Sequence, residues 1–379
     1  MVPSPTGAGR VIRVARPHVT DADGAAVAAV LASGFLTQGQ HVARFEGALV
    51  RLVGAPYAVA VSSGTAALHL ALLAAGVGPG DEVVTSAFTF PATANVVELV
   101  GAHPVLVDID LETFTMDVAA AEDALTPRSR ALLPVHAFGL MADMEALGRL
   151  AARRNLIVVE DAACALGASQ VIDGRSTPAG AAGDLGCFSF HPRKSVTTGE
   201  GGAVTTSDAT LAARLRRLRN HGLEPGPEGP DVAEPGFNYR MTELQAALGL
   251  VQVERLAWAL AERRRLAALY DEVLADLDWL QRPHEPKHRV HAWQSYVVLL
   301  APGIDRERLV SRLKAHGIEA VRGAYAVHRL RFYRDRYGYT SDRFPAASAA
   351  HDRALALPLW PGMGTDAVEQ VARALVACR

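Results

Sequence analysis

Only three lysines, Lys194, Lys287 and Lys314, stand against thirty-five arginines in this chain. Lys194 has the setting best suited to chemistry. It lies in FSFHPRKSVTTGEGGAV, between a short apolar run and a glycine-rich turn. Arginine stays protonated in proteins, whereas a partly desolvated lysine can lose its proton and attack a carbonyl. The competing role is an ordinary surface lysine in an arginine-rich sequence. Thirty-three residues earlier, Asp161 closes the apolar run NLIVVED. A carboxylate at a buried strand end needs a cation or a hydrogen-bond donor. A protonated heteroaromatic nitrogen would satisfy it, and so would a helix start in the following AACALGA.

Other groups fall at comparable places. SSGTAALHLAL follows the run YAVAV, so Gly64 would let a ligand approach the backbone while Ser63 and Thr65 offer hydroxyls. A helix beginning there would aim free N–H groups and its positive end at an anion. The phosphate loop GxxxxGK[ST] and the dinucleotide pattern GxGxxG are both missing from the sequence. Phe90, in SAFTFPATAN, could stack on a flat ring or pack in a core. Ser189, five residues before Lys194, could reach a phosphate or make ordinary strand hydrogen bonds.

These groups need a frame that brings strand ends together. From about Tyr57 to Val204, seven β-rich runs alternate with helical ones: YAVAVSS, DEVVTSAF, HPVLVDID, ALLPVHAF, NLIVVEDA, GDLGCFSF and GGAVTTS. Strands apolar almost throughout predict a mainly parallel sheet covered on both faces. In such sheets, ligands collect outside the carboxyl ends of the strands. The pattern predicts a large α/β domain over residues 1–250 and a smaller C-terminal domain over 251–379. The latter would contain WQSYVVLL as a strand and TDAVEQVARALVAC as the last helix. A long helical run, MTELQAALGLVQVERLAWALAERRRLAALYDEVLADL, leads into it, after a Pro/Gly-rich loop at 222–238. The leading MVPSPTGAGRVIRVARP lacks the apolar core of a signal peptide and reads as a flexible lead-in.

Composition narrows the function classes. A formal charge of −2 gives no general attraction to nucleic acid or an anionic membrane. No apolar stretch is long enough for a membrane span. Three cysteines without CxxC spacing, Cys164, Cys187 and Cys378, argue against a disulfide framework or a zinc site and suit the cytoplasm. Residues 282–343 carry thirteen Lys or Arg against six Asp or Glu. That bias suits solvated surfaces or a rim that attracts an anionic substrate such as a diphosphate.

The segments SSGTAALHLAL, GDEVVTSAFTFPATAN, PVLVDID, PVHAFGLMADM, VVEDAACALGA, FSFHPRK, TTGEGGAV, LRNHG and GFNYRMTELQAALGLVQ appear in that order. Together they resemble the DegT/DnrJ/EryC1/StrS family of sugar aminotransferases, a branch of the fold-type I pyridoxal-phosphate enzymes. The resemblance runs from FLTQGQHVARFE to the C-terminus. It implies an α/β large domain built on a mainly parallel, mixed seven-stranded sheet, with a smaller α+β domain behind it. It also implies pyridoxal 5′-phosphate as cofactor, alternating with the pyridoxamine form. Lys194 would hold the cofactor's aldehyde carbon, and Asp161 its pyridine nitrogen. Phe90 would stack on the ring, while Ser63, Gly64, Thr65 and Ser189 would hold the phosphate. Asn238 would reach the phosphate of a neighbouring subunit, making a homodimer with shared sites. Arg240 of the same loop serves equally well as a structural ion-pair partner. Where many members read EDAAQ, this chain reads EDAAC, which puts Cys164 beside the ring hydroxyl as a weak hydrogen-bonding neighbour. His191 and Arg193 would line the substrate side or simply pack the loop.

The implied reaction moves an amino group from L-glutamate to a keto-sugar linked to a nucleoside diphosphate. A cyclitol ketone is the alternative acceptor. A non-catalytic regulator that binds the cofactor or a sugar is the alternative outside catalysis. Relatives that dehydrate sugars carry histidine in place of this lysine, so Lys194 favours transamination. A nicotinamide-dependent oxidoreductase fits the sheet but lacks the glycine pattern. Acceptor specificity would lie in loops 35–40, 191–193, 222–240 and 320–335.

Overall fold

The computed structural model describes residues 11–379. All seven β-rich runs form strands of one sheet. Across it they lie in the order Tyr57–Val61, Gly202–Thr206, Leu185–Ser189, Ile157–Asp161, Ser129–Leu133, Glu82–Ser86 and His103–Val107. Gly202–Thr206 runs antiparallel to both neighbours, and the other pairings are parallel. The sheet is therefore mixed and mainly parallel.

Alternate residues along each strand feed two different cores, as the period of a pleated strand requires. Val84, Leu132, Val158 and Phe188 pack on one face with Phe45, Leu49, Leu147 and Leu150. Val83, Leu133, Val159 and Cys187 pack on the other with Leu70, Val96, Leu215 and Leu218. Coverage on both faces explains why these runs read as apolar throughout rather than alternating.

Register then collects the strand ends. Val61 opposes Gly202, Gly202 opposes Ser189, and Cys187 opposes Asp161. Four adjacent strands thus present Asp161, Ser189, Gly202 and the Ser62–Ser63 turn along one edge. A helix, Gly64–Ala74, begins at that edge.

The long helical run is two helices, Glu243–Glu254 and Leu256–Val273, broken at Arg255. The break has a tertiary cause: Arg255 grips both carboxylate oxygens of Asp23 at 2.8 and 2.7 Å, and Gln252 donates to the same carboxylate. Beyond it, strands Leu280–Gln281, Tyr296–Leu300 and Ala354–Leu357 form a separate antiparallel sheet. Helices Leu256–Val273, Arg306–Ala315 and Thr365–Cys378 cover it around a core containing Tyr270, Trp279, Leu313 and Leu375.

Two expectations about loops are modified. Residues 1–10 of the expected lead-in lie outside the described residues, but the rest of it is fixed. Ile12 bridges to Ile318, Val14 donates to the Glu319 carboxylate at 3.0 Å, and Trp360 donates to the Arg13 carbonyl at 3.1 Å. Burial of Ile12 against the C-terminal core gives this stretch a reason to stay put. The Pro/Gly-rich loop contains an exposed hairpin, Leu223–Gly226 with Gly229–Val232. Among the described residues, no helix is long and apolar enough to cross a membrane.

Candidate active site

Strand Ile157–Asp161 ends in two carboxylates on opposite faces. Glu160 is fully buried and saturated: it accepts from Gly180, Ala182 and Gly183 N–H and from His136 Nε2. His136 Nδ1 accepts the Ala142 N–H at 3.2 Å, so the ring is the neutral Nε2–H tautomer. Glu160 is thus a structural brace. Asp161, 5% exposed, faces the sheet edge. Its Oδ2 accepts from Thr93 Oγ1 at 2.7 Å and its Oδ1 from Ala163 N–H at 3.2 Å. The segment after it forms turns rather than a helix, which removes the helix-capping role. Two neutral donors leave this carboxylate with accepting capacity directed into the site.

Thr93 was not among the sequence-derived candidates. Thr89 and Thr93 sit four residues apart around the start of helix Ala92–Leu99, with their hydroxyls at 2.9 Å. Thr93 has one proton and gives it to Asp161, so Thr89 must donate to Thr93. Nothing in the sequence marked the pair: Thr89 ends strand Phe88–Thr89 and Thr93 lies in the first turn of the helix, so the two hydroxyls meet only across that strand-to-helix turn.

The turn at Ser63 is an anion cradle in form. Ser63 Oγ accepts the Ala66 N–H at 3.1 Å, while the Gly64 and Thr65 N–H groups precede any possible intrahelical acceptor. A Cβ at Gly64 would lie 2.7 Å from Ser189 Cβ, which places Ser189 directly against this turn. A Cβ at Gly202 would meet the Ser63 carbonyl oxygen at 2.3 Å. Glycine at 202 is therefore what lets the antiparallel strand lie under the cradle.

Lys194 sits in the turn after Leu185–Ser189, its N–H bonded to the His191 carbonyl at 2.8 Å. Its Nζ donates to Cys164 Sγ at 3.0 Å. Cys164, which the EDAAC segment suggested as a neighbour of the cofactor's ring hydroxyl, thus lies against the lysine amine. His191 pairs loosely with Glu200 at 4.0 Å; burial, only partly offset by Glu200, holds its pKa below the usual imidazole range. Arg193 contributes its carbonyl to Gln294 Nε2.

Phe90 is 65% exposed and so is not a core residue. Its ring meets that of Tyr325 edge-on, with centroids 6.2 Å apart. Tyr325 comes from the C-terminal part of the chain, where Tyr325–Ala326 pairs with Phe88–Thr89. Asn238 is exposed, on a segment tied to the sheet edge by the Ser62 N–H bond to the Tyr239 carbonyl at 2.8 Å. Arg240 donates to Asn220 Oδ1 at 2.7 Å, a neutral partner in place of the expected ion pair. Part of the basic excess at 282–343 is paired: Arg289, Arg329 and Arg336 meet Asp143, Asp352 and Glu98 from outside the segment, while Arg306 and Arg322 share Glu307 within it.

These residues fit pyridoxal 5′-phosphate. An N-terminal helix cradle suits a phosphate, Asp161 suits a ring N–H, an exposed phenylalanine suits a ring face, and an amine stands at the strand exit. The description "DegT/DnrJ/EryC1/StrS aminotransferase family" matches residues 17–376. GDP-perosamine synthase of Caulobacter vibrioides is 40% identical over 342 residues, 89% of this chain and 90% of the relative. S. venezuelae DesV, solved in complex with a ketimine intermediate, superposes with a TM-score of 0.86 at 36% identity over 93% of each chain. Spr1654 of Streptococcus pneumoniae, described as a sugar aminotransferase and solved in its PMP form, gives 0.91 at 27% identity, covering 96% of this chain and 98% of its own.

Proposed function

The chain belongs to the DegT/DnrJ/EryC1/StrS aminotransferase family and uses pyridoxal phosphate; from that premise we propose that it aminates a nucleoside-diphosphate-linked keto-sugar, with L-glutamate as donor. The observation that carries this reading is the amine of Lys194 turned onto Cys164, on the turn beside the strand end of Asp161. Similarity to a relative named GDP-perosamine synthase supports the sugar acceptor.

When bound, the cofactor supplies a carbonyl carbon that carries nitrogen and a ring that takes up electrons. The Gly64 and Thr65 N–H groups, with the Ser63 and Ser189 hydroxyls, hold its phosphate at the positive end of helix Gly64–Ala74. Asp161 keeps a proton on the ring nitrogen, and Thr93 fixes that carboxylate by donating to Oδ2. Phe90 covers one ring face. Lys194 Nζ would be the base that takes the proton from the donor's Cα and holds it for return. In the second half of the cycle it moves the proton in the reverse direction, onto the sugar carbon that receives the amine. Asn238 serves the site of a second copy in a homodimer, which its exposure permits.

The test offers a panel of keto-sugar nucleotides and free cyclitol ketones to the pyridoxamine form and follows return of the aldehyde-form absorbance. Return with a nucleotide-linked keto-sugar supports the proposal. Return with cyclitol ketones alone, or with none of the panel, overturns it.

A further inference from the structure

Gln294 grips the chain on both sides of Lys194. Its Nε2 donates to the carbonyl of Arg193, and its Oε1 accepts the Ser195 hydroxyl at 3.3 Å. A carbonyl can only accept, so the orientation of the amide is fixed by its partners. Gln294 is 7% exposed and comes from the C-terminal part of the chain, about a hundred residues from the lysine in sequence.

Gln294 is itself held unusually firmly. Arg263, 2% exposed, donates from NH1 to the carbonyls of Trp293, Gln294 and Leu359 at 3.0, 3.1 and 3.2 Å. Trp293 has a φ of +49°, a left-handed conformation that a bulky side chain adopts only at a cost. His291 stabilises it by accepting the Trp293 N–H on Nδ1 at 2.8 Å and stacking on its ring at 4.1 Å. Gly139 makes room, since a Cβ there would stand 2.9 Å from the Gln294 nitrogen. A strained residue, a buried cation and a close-packed glycine therefore all serve to aim one amide.

We propose that Gln294 is a positioning residue for Lys194: its side-chain amide brackets the lysine's two neighbours and sets where the ε-amine reaches. This rests on the reading of Lys194 as the residue that binds the cofactor's aldehyde. A positioned amine strengthens binding of the aldehyde form, which joins the lysine covalently. It does nothing for the pyridoxamine form, which does not.

The experiment titrates apoprotein with pyridoxal phosphate and, separately, with pyridoxamine phosphate, using wild type, Q294A, Q294E and K194A. The proposal expects Q294A to weaken binding of the aldehyde form about tenfold, the worth of one or two hydrogen bonds, with the pyridoxamine form unchanged. Q294E keeps the size but lacks the donor to Arg193, so it should behave like Q294A. Equal weakening of both cofactor forms would mean a merely structural role and overturns the proposal. So does wild-type affinity in either Gln294 variant. K194A separates the two readings: if it alone loses aldehyde-form affinity, only the Gln294 proposal falls. If K194A binds both forms like wild type, the lysine assignment falls and takes the proposal with it.

Discussion

Lys194 turns its Nζ onto the Sγ of Cys164 at 3.0 Å, so the lysine's amine and the cysteine of the EDAAC segment share one side of the site. A thiol is a weak partner, and the contact holds the amine loosely rather than locking it. The chemistry depends on the amine, not on the thiol. K194A should therefore abolish multiple turnover and the absorbance of lysine-bound cofactor, measured with glutamate and an accepted keto-sugar. C164A should retain turnover within about tenfold of wild type, the scale of one modest hydrogen bond. Loss of turnover in C164A comparable to K194A would give the thiol a direct catalytic part.

Thr93 is a second point of attack. T93V keeps the side-chain shape but withdraws the donor to Asp161 Oδ2, a bond of 2.7 Å between buried groups. A charged acceptor left short of a donor costs about 1–3 kcal/mol. Cofactor affinity should fall about ten- to a hundredfold, read by absorbance titration of apoprotein. T93S restores the hydroxyl and should recover most of it.

The seven strands were legible, and Asp161 and Lys194 could be singled out as candidates, because each signal is local. Apolar runs bounded by turns specify strands, and a charged residue at the end of such a run needs a partner, whether a ligand or the protein's own donors. Thr93 and Gln294 were not legible, because their partners lie 68 and 99 residues away. Neither threonine nor glutamine carries a chemical label of its own. Arg255 shows the same limit in the fold. Its helical pattern is continuous in sequence, and only a pairing with Asp23, 232 residues away, makes the break intelligible. The fixed stretch at Ile12 likewise depends on a bridge to Ile318 that no nearby residue announces.

Two glycines should respond in opposite ways to the same substitution. At Gly202 an added Cβ meets the backbone of Ser63 at 2.3 and 2.5 Å, and backbone cannot step aside. G202A should destabilise the fold by about 1–3 kcal/mol through overpacking and should also weaken cofactor binding by displacing the cradle. Gly148 lies within helix Met144–Arg154 with nothing within 4 Å of the added carbon. G148A should stabilise by about 0.5–1 kcal/mol, because alanine loses less freedom in a helix. Urea denaturation of the two variants gives both values.

The chain should lose stability as pH falls below about 6.5, and His291 supplies a specific reason. Burial, with a smaller contribution from Arg264, pushes its pKa down to about 3. The unfolded chain therefore takes up a proton between pH 6.5 and 3 that the folded chain refuses, so stability is full above 6.5 and declines as pH falls through that window. The geometry agrees: Nδ1 accepts the Trp293 N–H, and protonation there would break the bond. His351, pushed down to about 4 by burial and then by Arg322 and Arg329, acts in the same direction and accepts the Ala326 N–H on Nδ1. Carboxylates held below their usual range, such as Asp23 and Glu243, stay ionised in both states near pH 6 and add no slope there. Unfolding free energies from urea denaturation should fall between pH 7.5 and 5.5 by up to about 1.4 kcal/mol per pH unit for His291 alone. H291Q should flatten that slope by one proton's share, and an unchanged slope would place the acid sensitivity elsewhere.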